Sequence, residues 1–478
     1  MIKQYFSGTA SLTRFILRRD RVRLILWIVL LSFFCVGLVP VFSEVIFMGA
    51  EKTAIIEMMK TPAIIAMIGP IYGEANYTIG AAYANYMLVF CVMIAGVMNI
   101  FLISRHTRAD EEMGRLEVIR SLPVGRLSNL TSALVTALIA NTFLTLLTTL
   151  GLYLFRAEGM DLLGCFIFGA SLGVIGMFFA ALTAVFCQLT ANNRTAMGLS
   201  FLSLFLLYMM RAVGDTGNET LSLISPLGLV LRTQNFVENK FWPLIVIKLI
   251  SFGLILLAFV LSWSRDLGSG LLPQKAGKKH ASGLLSSPTG LALRLIRTAM
   301  IIWIITVFSF AAMYGSVFGD LEGYIEASDM LRAIFSSDGG SSLTLQFVVL
   351  LVAIMAMIST IPLLNFTLRV VGEEKDGVAE HILSKAVSRP KQMMAYLLPT
   401  LVLSVILQLL SAYGFWVVGS SVLEATPPLE TFIKASLLYL PAMWLLVGIA
   451  TLLIGYLPRK TFLAYLYLAY IFFSIYLG

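Results

Sequence analysis

A charged segment at positions 105–126, RHTRADEEMGRLEVIRSLPVGR, carries the side chains best suited to binding or catalysis. Its three consecutive carboxylates, Asp110, Glu111 and Glu112, could chelate a metal ion and so hold a pyrophosphate substrate. They could equally form ion pairs with basic groups of another protein. The rest of the sequence decides between these two chemistries.

The charged segment occurs twice. Within the 17 residues 110–126, eight residues align with residues 263 positions later, and seven of these eight pairs are identical. Two unrelated sequences should match at only about one position in a window of that length. A tandem duplication is therefore predicted. The pairs are Asp110 with Glu373, Glu111 with Glu374, Gly114 with Gly377, Glu117 with Glu380, Ile119 with Ile382, Ser121 with Ser384, Val124 with Val387 and Arg126 with Arg389.

The spacing predicts one short helix in each half, because four residues fall at i, i+4, i+7 and i+11 on one side. They are Asp110, Gly114, Glu117 and Ser121 in the first half, and Glu373, Gly377, Glu380 and Ser384 in the second. Alternatively, the acids only suit the helix macrodipole, and Glu111 forms an i,i+4 ion pair with Arg115. Dipole matching does not require the glycine, the later glutamate and the serine to recur, so a contact surface made twice is favoured.

A metal-dependent transferase is disfavoured by the remaining candidate ligands. Lys375 occupies the position equivalent to Glu112. The three histidines lack metal-ligand spacing, and the four cysteines lie in apolar stretches, where a thiol behaves as a small hydrophobe. These residues are His106, His280, His381, Cys35, Cys91, Cys165 and Cys187. No metal or cofactor site is expected in this chain.

The composition is that of an integral membrane protein. Of the 478 residues, 59% are hydrophobic and only 13% are charged, a balance that a water-soluble fold of this size could not bury. Stretches of about 20 apolar residues predict an all-α polytopic fold with eleven transmembrane helices. The predicted spans are 24–42, 84–104, 130–154, 162–189, 195–210, 242–263, 298–317, 343–364, 393–418, 432–457 and 461–477.

The chain divides into two homologous halves joined by a linker. Residues 1–263 form the first transmembrane half, which opens with a basic amphipathic helix at 10–23 on the membrane face. Residues 264–297, rich in Gly, Ser, Lys and Arg, form a cytosolic linker that ends in another amphipathic helix. Residues 298–478 form the second half. The repeated loops are 105–126 and 369–391.

The charge distribution predicts the orientation in the membrane. Lys and Arg outnumber acids on the side of the N-terminus, and acids outnumber them on the other side. The positive-inside rule therefore places the N-terminus, both repeated loops and the linker in the cytosol. The net charge of +8 then needs no nucleic-acid partner. The second half lacks an equivalent of the sixth span, so either a twelfth helix is missing from this sequence or the protein has eleven spans.

The sequence carries no evident source of energy for transport. No acid lies inside the predicted spans, although proton-driven transporters generally need one there. Apart from Lys434 at the start of the tenth span, Lys248 is the one charge in a span, and it either snorkels to the interface or faces a substrate. The nucleotide-binding pattern GxxxxGK[ST] is absent. Energy is therefore expected from a partner that contacts both loops.

The repeated acidic block ends in basic turns at Pro123–Arg126 and Val387–Arg389, and it resembles the first cytosolic loop of permease subunits of ABC-type exporters. The amphipathic start, the linker segment RDLGSGLLP at Arg265–Pro273 and the six-plus-six plan resemble the fused family of polyketide-antibiotic exporters in particular. This resemblance implies a type-two exporter fold without enzymatic activity of its own. It also implies an amphipathic or lipophilic substrate, such as an antibiotic, and a bacterial cytoplasmic membrane.

The resemblance further implies that the repeated loops are coupling helices for two copies of a separate ATPase subunit, which binds ATP and Mg²⁺. Smaller contacts are implied at Ala191–Arg194 and Pro458–Lys460. The implied partner contacts are Asp110, Glu111, Gly114, Glu117, Ser121, Arg126, Glu373, Glu374, Gly377, Glu380, Ser384 and Arg389. The main alternative function is a proton-coupled secondary multidrug transporter, which shares the six-plus-six symmetry.

Overall fold

The computed structural model describes residues 2–40, 42, 56–57, 59–266, 268–272, 279–315, 343–375, 377–422 and 427–477. Throughout these ranges the chain is helices, turns and irregular connections without a β-strand. The predicted all-α polytopic fold is confirmed. The chain divides into two compact units, Met1–Ala276 and Gly277–Gly478.

The first unit contains helices α1 to α11 in the described ranges. They are α1 (Ile2–Tyr5), α2 (Thr9–Gly37), α3 (Pro62–Ile68), α4 (Ile79–Ser104), α5 (Arg115–Arg120), α6 (Ser128–Phe155), α7 (Leu162–Leu189), α8 (Asn193–Gly217), α9 (Glu219–Ile224), α10 (Pro226–Leu231) and α11 (Trp242–Ser264). A π-helical turn, Arg105–Ala109, and the short segment Asp110–Glu112 continue α4 without a break. We call residues 105–112 the α4 extension.

The second unit contains helices α12 to α18 in the described ranges. They are α12 (Pro288–Gly315), α13 (Leu343–Lys375), α14 (Val378–Leu383), α15 (Arg389–Val422), α16 (Leu429–Leu437), α17 (Leu440–Tyr456) and α18 (Leu463–Leu477). Helices α12 and α15 pack closely, with Gly414 facing the backbone of α12 at Phe308. The buried apolar side chains of this unit form a core of their own around Val352, Leu403 and Phe415.

Nine helical stretches in the described ranges, with α16 and α17 counted together as Leu429–Tyr456, are long and apolar enough to cross a membrane. The two other predicted spans correspond to the second part of α2 and to the shorter apolar helix α18. The amphipathic segment 10–23 was expected to be a separate helix. It is instead continuous with the first span in α2, because residues 9–37 contain no glycine or proline before Gly37 to interrupt the helix.

Helix α7 lies at the centre of the first unit and contacts α4, α6, α8 and α11. Glycines let it approach α6 closely: a Cβ at Gly169 or Gly173 would collide with Thr145. A Cβ at Gly176 would collide with Asn99 and Asn141, whose side-chain amides bond reciprocally at 3.0 and 2.8 Å. This buried amide pair ties α4 to α6 just below the α4 extension, and so fixes the base of the charged loop.

Candidate functional site

The charged loop of the first unit is two helical pieces, not the single short helix that the spacing predicted. The α4 extension ends at Glu112, and Gly114 then adopts a left-handed conformation, with φ 69° and ψ 1°, before α5 begins at Arg115. Asp110 therefore lies on a different helix from Glu117 and Ser121. The glycine makes the break, because a left-handed backbone is costly for residues with a Cβ.

The repeat in the second unit takes the same local conformation. Gly377 has φ 71° and ψ 2°, and it precedes α14 as Gly114 precedes α5. The amide N–H of Ser121 donates to the carbonyl of Glu117 at 3.1 Å, and that of Ser384 donates to Glu380 at 2.9 Å. Apart from the neighbouring residues in sequence, no atom of the described residues lies within 4 Å of a Cβ built on either glycine, so backbone conformation explains these glycines better than close packing does.

The repeated residues divide into buried and exposed groups. The first group lies before the glycines, on the α4 extension and on α13. Its carboxylates Asp110, Glu111 and Glu373 are buried, whereas Glu374 is exposed. Those beyond the glycines are exposed, and they are Glu117, Ser121, Arg126, Glu380, Ser384 and Arg389. Glu374 and the second group are therefore accessible to a partner in this conformation of the chain, whereas Asp110, Glu111 and Glu373 are not.

Asp110 binds basic residues from two other helical segments. Its carboxylate accepts from Arg19 of α2 at 2.7 Å and from Arg115 of α5 at 2.9 Å. The buried ring of His106 lies between Arg19 and Asp20, with its Nε2 3.0 Å from Asp20. The predicted Glu111–Arg115 pair is thus wrong, because the break at Gly114 turns Arg115 back toward Asp110.

Glu111 binds the segment that follows the last span of the first unit. Arg265 donates to both of its carboxylate oxygens, at 2.7 and 2.6 Å, and the amide of Gly268 donates at 2.8 Å. Arg108 lies 3.0 Å from Glu111 and donates to the carbonyl oxygens of Ala191 and Ser269. The charged loop, the α7–α8 connection and the start of the linker are therefore held together by one buried set of ion pairs.

The second unit does not repeat this set. Glu373 is bound by Arg369, 3.2 Å away, and by the hydroxyl of Tyr396. Val371 stands where the first unit has Arg108. Glu374 is exposed and has no ion pair among the described residues. The two loops share their backbone conformation, whereas their attachments differ.

The exposed tip of the first loop carries apolar side chains that the sequence analysis did not single out. Met113, Val118 and Leu122 are 64, 69 and 59% exposed and lie near the charged side chains of Glu117 and Arg120. In the second unit Val378 is 47% exposed beside Glu380. Exposed apolar side chains that cluster within a charged surface are typical of protein-binding sites. The apolar residues lie one to three positions from the predicted polar contacts.

Two buried charges at the far end of α8 were also missed. The fifth span was expected to end at Met210, but α8 continues to Gly217 and includes Arg211 and Asp215. The fully buried Arg211 donates to the carbonyl oxygens of Ala66 and Met67, at 2.8 and 2.9 Å, at the end of α3. This arginine could have been recognised only by knowing that α3 needs a donor for its last carbonyl groups.

Lys248 lines a cavity of about 480 Å³ between α6, α7 and α11, together with Thr142 and Thr145. The lysine is exposed and has no ion pair in the described part of the chain. Across the described ranges, no group of three or more His, Cys, Asp and Glu side chains is arranged to hold a metal ion.

We predict that Gly114→Ala loosens α5, because a Cβ in a left-handed backbone costs roughly 1–2 kcal/mol. Gly377→Ala should do the same to α14. Hydrogen–deuterium exchange of residues 115–120 and 378–383 measures the effect. Gly198→Ala is the matched control, since Gly198 lies inside α8 with ordinary helical geometry and nothing within 4 Å of a Cβ. Equal exchange in all three variants would contradict the conformational role.

We predict unequal effects of the equivalent substitutions Glu111→Gln and Glu374→Gln. The first leaves Arg108 and Arg265 without their buried counter-charge and should lower the free energy of unfolding by about 3–5 kcal/mol. The second changes an exposed side chain and should alter it by no more than about 0.5 kcal/mol. Thermal unfolding of the purified protein in detergent checks both. Similar destabilisation by the two variants would show that the loops are attached alike.

Comparison with known proteins agrees with this architecture. The family model described as "Multidrug efflux system permease Rv1217c, C-terminal domain" matches residues 10–261 and 285–478. The multidrug efflux system permease protein Rv1217c of Mycobacterium tuberculosis (strain ATCC 25618 / H37Rv) is 34% identical over 460 residues, which cover 95% of this chain and 83% of that protein. The matches extend through both units and both charged loops. The chain therefore belongs to the Rv1217c family of multidrug efflux permeases, which confirms its recognition as an ABC-type exporter permease.

Proposed function

We propose that this efflux permease is the membrane subunit of an ATP-driven exporter, with its N-terminus and both charged loops in the cytosol. It would move an amphipathic or lipophilic substrate, such as an antibiotic, outward across a bacterial cytoplasmic membrane. The observation that carries this proposal is the repeated loop: a left-handed glycine, a six-residue helix and a terminal serine recur in both units. A conformation built twice suits two copies of one partner.

The partner expected at each loop is a separate ATPase subunit. The exposed faces of α5 and α14 offer Glu117 and Glu380 for ion pairs, and Met113, Val118 and Leu122 add apolar contacts on the first loop. Protein interfaces combine apolar anchors with a charged rim in this way. The chain has no nucleotide-binding loop of the GxxxxGK[ST] kind, so ATP and Mg²⁺ are assigned to the partner.

Asp110 and Glu111 have a different role in this proposal from direct docking. They are buried and bound to arginines of their own chain, so they connect the docking helix to the transmembrane helices. A force on α5 reaches α2 through Arg115, Asp110 and Arg19. It reaches the linker through Glu111 and Arg265. Buried, paired charges resist separation, because breaking one pair leaves an uncompensated charge.

A proton-coupled transporter is the second candidate, and one observation favours it. Helix α8 extends further than the sequence predicted and places Asp215 within a candidate span. A carboxylate in that position is the usual proton carrier of secondary transporters. However, Asp215 lies 3.4 Å from the buried Arg211 and accepts a hydrogen bond from Ser222. These contacts favour a carboxylate that is held in place over one that is loaded and unloaded.

We predict that efflux depends on ATP and not on the proton gradient. In cells that express the permease and its cognate ATPase, efflux of a lipophilic dye should stop when ATP is depleted. It should continue when a protonophore collapses the proton gradient while ATP is maintained. An Asp215→Asn variant should keep this pattern. Efflux that stops with the protonophore and continues without ATP would establish the secondary transporter instead.

We predict that Glu117→Lys combined with Glu380→Lys weakens association with the ATPase by at least about tenfold, since each reversal places like charges at an interface. Co-purification and ATP hydrolysis stimulated by the permease measure the effect. Glu158→Lys with Glu430→Lys is the matched control. Both residues are exposed acids, and neither belongs to a repeated loop. Unchanged association in the first double variant would remove the docking role.

A further inference from the structure

A cavity of about 460 Å³ lies within the first unit beside the charged loop. It is formed by α2, α4 with its extension, the start of α5 and the start of α8. Its apolar wall includes Trp27, Met98, Phe101 and Met197, and the rings of Trp27 and Phe101 are 6.4 Å apart. Cavities of 300–1,000 Å³ with mostly apolar walls are typical of small-molecule sites.

The other wall of the cavity is charged. Three arginines line it: Arg23, Arg105 and Arg115. The side chains of Arg105 and Arg115 are 40 and 51% exposed, and the π-helical turn Arg105–Ala109 turns Arg105 and Ala109 toward the cavity. Single π-helical turns inside transmembrane helices frequently occur at functional sites.

The two acids in the cavity wall pair with only two of the three arginines that line it. Asp20 is already bound by Arg105 and His106, at 3.0 Å each. Asp110 is bound by Arg19 and Arg115. Both carboxylates are buried and satisfied by partners of opposite charge. Counting Arg19 behind the wall, four arginines face two aspartates, which leaves an excess of positive charge in the cavity.

Of the three arginines that line the cavity, Arg23 is the one without an acidic partner among the described residues. It is exposed on α2 and has no ion pair or hydrogen bond within the described part of the chain. Arg21, two positions earlier, is also exposed but does not line the cavity. Basic pockets between transmembrane helices at the cytosolic side recognise acidic head groups. The cavity combines such a cationic end with an apolar wall.

We propose that this cavity binds an amphiphile with one acidic head group, such as a carboxylate, phosphate or sulfonate, and an apolar aromatic or alkyl body. The head contacts Arg23 and the free N–H groups of Arg105 and Arg115, and the body lies against Trp27 and Phe101. The occupant is either a transported substrate or a lipid of the cytosolic leaflet. The transported case rests on the proposed function, whereas binding itself does not.

Binding at this cavity also reaches the docking helix. Arg115 is the first residue of α5, lines the cavity and donates to Asp110 at 2.9 Å. An acidic head group competes with Asp110 for Arg115. Occupancy therefore changes the contact that joins α5 to the α4 extension, and an anionic ligand should stimulate the partner ATPase.

The test uses 1-pyrenebutyrate and its cationic analogue 1-pyrenebutylamine, which share one apolar body. The full-length permease in phosphatidylcholine nanodiscs should bind the carboxylate at least about tenfold more tightly than the amine. Arg23→Gln should weaken carboxylate binding about fivefold, Arg23→Lys should retain most of it, and Arg21→Gln should leave it unchanged. Energy transfer from tryptophan to pyrene should fall in Trp27→Phe, which locates the probe.

Two further arms distinguish the source of the ligand. If phosphatidylglycerol added to the nanodiscs displaces the probe, and stays bound to the wild-type permease in native mass spectrometry but not to Arg23→Gln, the occupant is a lipid. If inside-out vesicles with the ATPase accumulate pyrenebutyrate on addition of ATP, the occupant is cargo. Equal binding of amine and carboxylate, an unchanged affinity in Arg23→Gln, or undiminished energy transfer in Trp27→Phe overturns the proposal. If the permease binds the carboxylate probe as expected but does not associate with the ATPase, the proposed function is wrong and the binding site is retained.

Discussion

The buried ion pairs of Glu111 with Arg265 and Arg108 are the interaction on which the charged-loop end of the first unit depends. Arg108 is 1% exposed, and a charge removed from water to that extent is tolerated only when it is paired and hydrogen-bonded. Its partners come from three separate parts of the chain: the loop, the α7–α8 connection and the linker start. Folding one of these parts correctly therefore requires the other two. Moving the charged loop, the α7–α8 connection and the linker start together therefore costs less free energy than separating them.

The two repeated loops share their local backbone conformation but differ in the side chains that attach them to the rest of each unit. The glycine and the serine have the same local function in both units, because the left-handed turn and the end of the short helix depend on local geometry alone. The attachments depend on more distant residues, and these differ: Arg108 is matched by Val371. The second loop is thus held by fewer charges, and its Glu374 remains exposed.

The sequence was sufficient to predict the fold class and the recurrence of the loop, since both follow from periodicity and composition. It was insufficient to predict the path of the backbone through the loop. The spacing argument assumes one continuous helix, and the left-handed Gly114 breaks that helix in two. Gly114 itself was visible, but it was placed within one continuous helix together with Asp110, Glu117 and Ser121. Arg19, which binds Asp110, lies 91 residues away along the chain, and Arg265, which binds Glu111, lies 154 residues away, so no local pattern identifies them. Arg211 was assigned to an external segment because hydropathy falls at its position, although tertiary contacts with α3 keep the helix intact.

The positions of Arg115 and Asp110 explain how a ligand in the charged cavity would act on α5, the helix proposed to bind the ATPase. In the proposed exporter, a ligand signals its presence only if it alters the surface that the ATPase contacts. A ligand can shift a conformational equilibrium only through contacts that differ between the two states. Arg115 provides such a contact, because it can bind either Asp110 or a ligand head group while it remains the first residue of α5. In the second unit no arginine occupies the equivalent position, which holds Val378. In the proposed exporter, any signal that depends on this exchange is therefore confined to the first unit, although the two loops are alike in conformation.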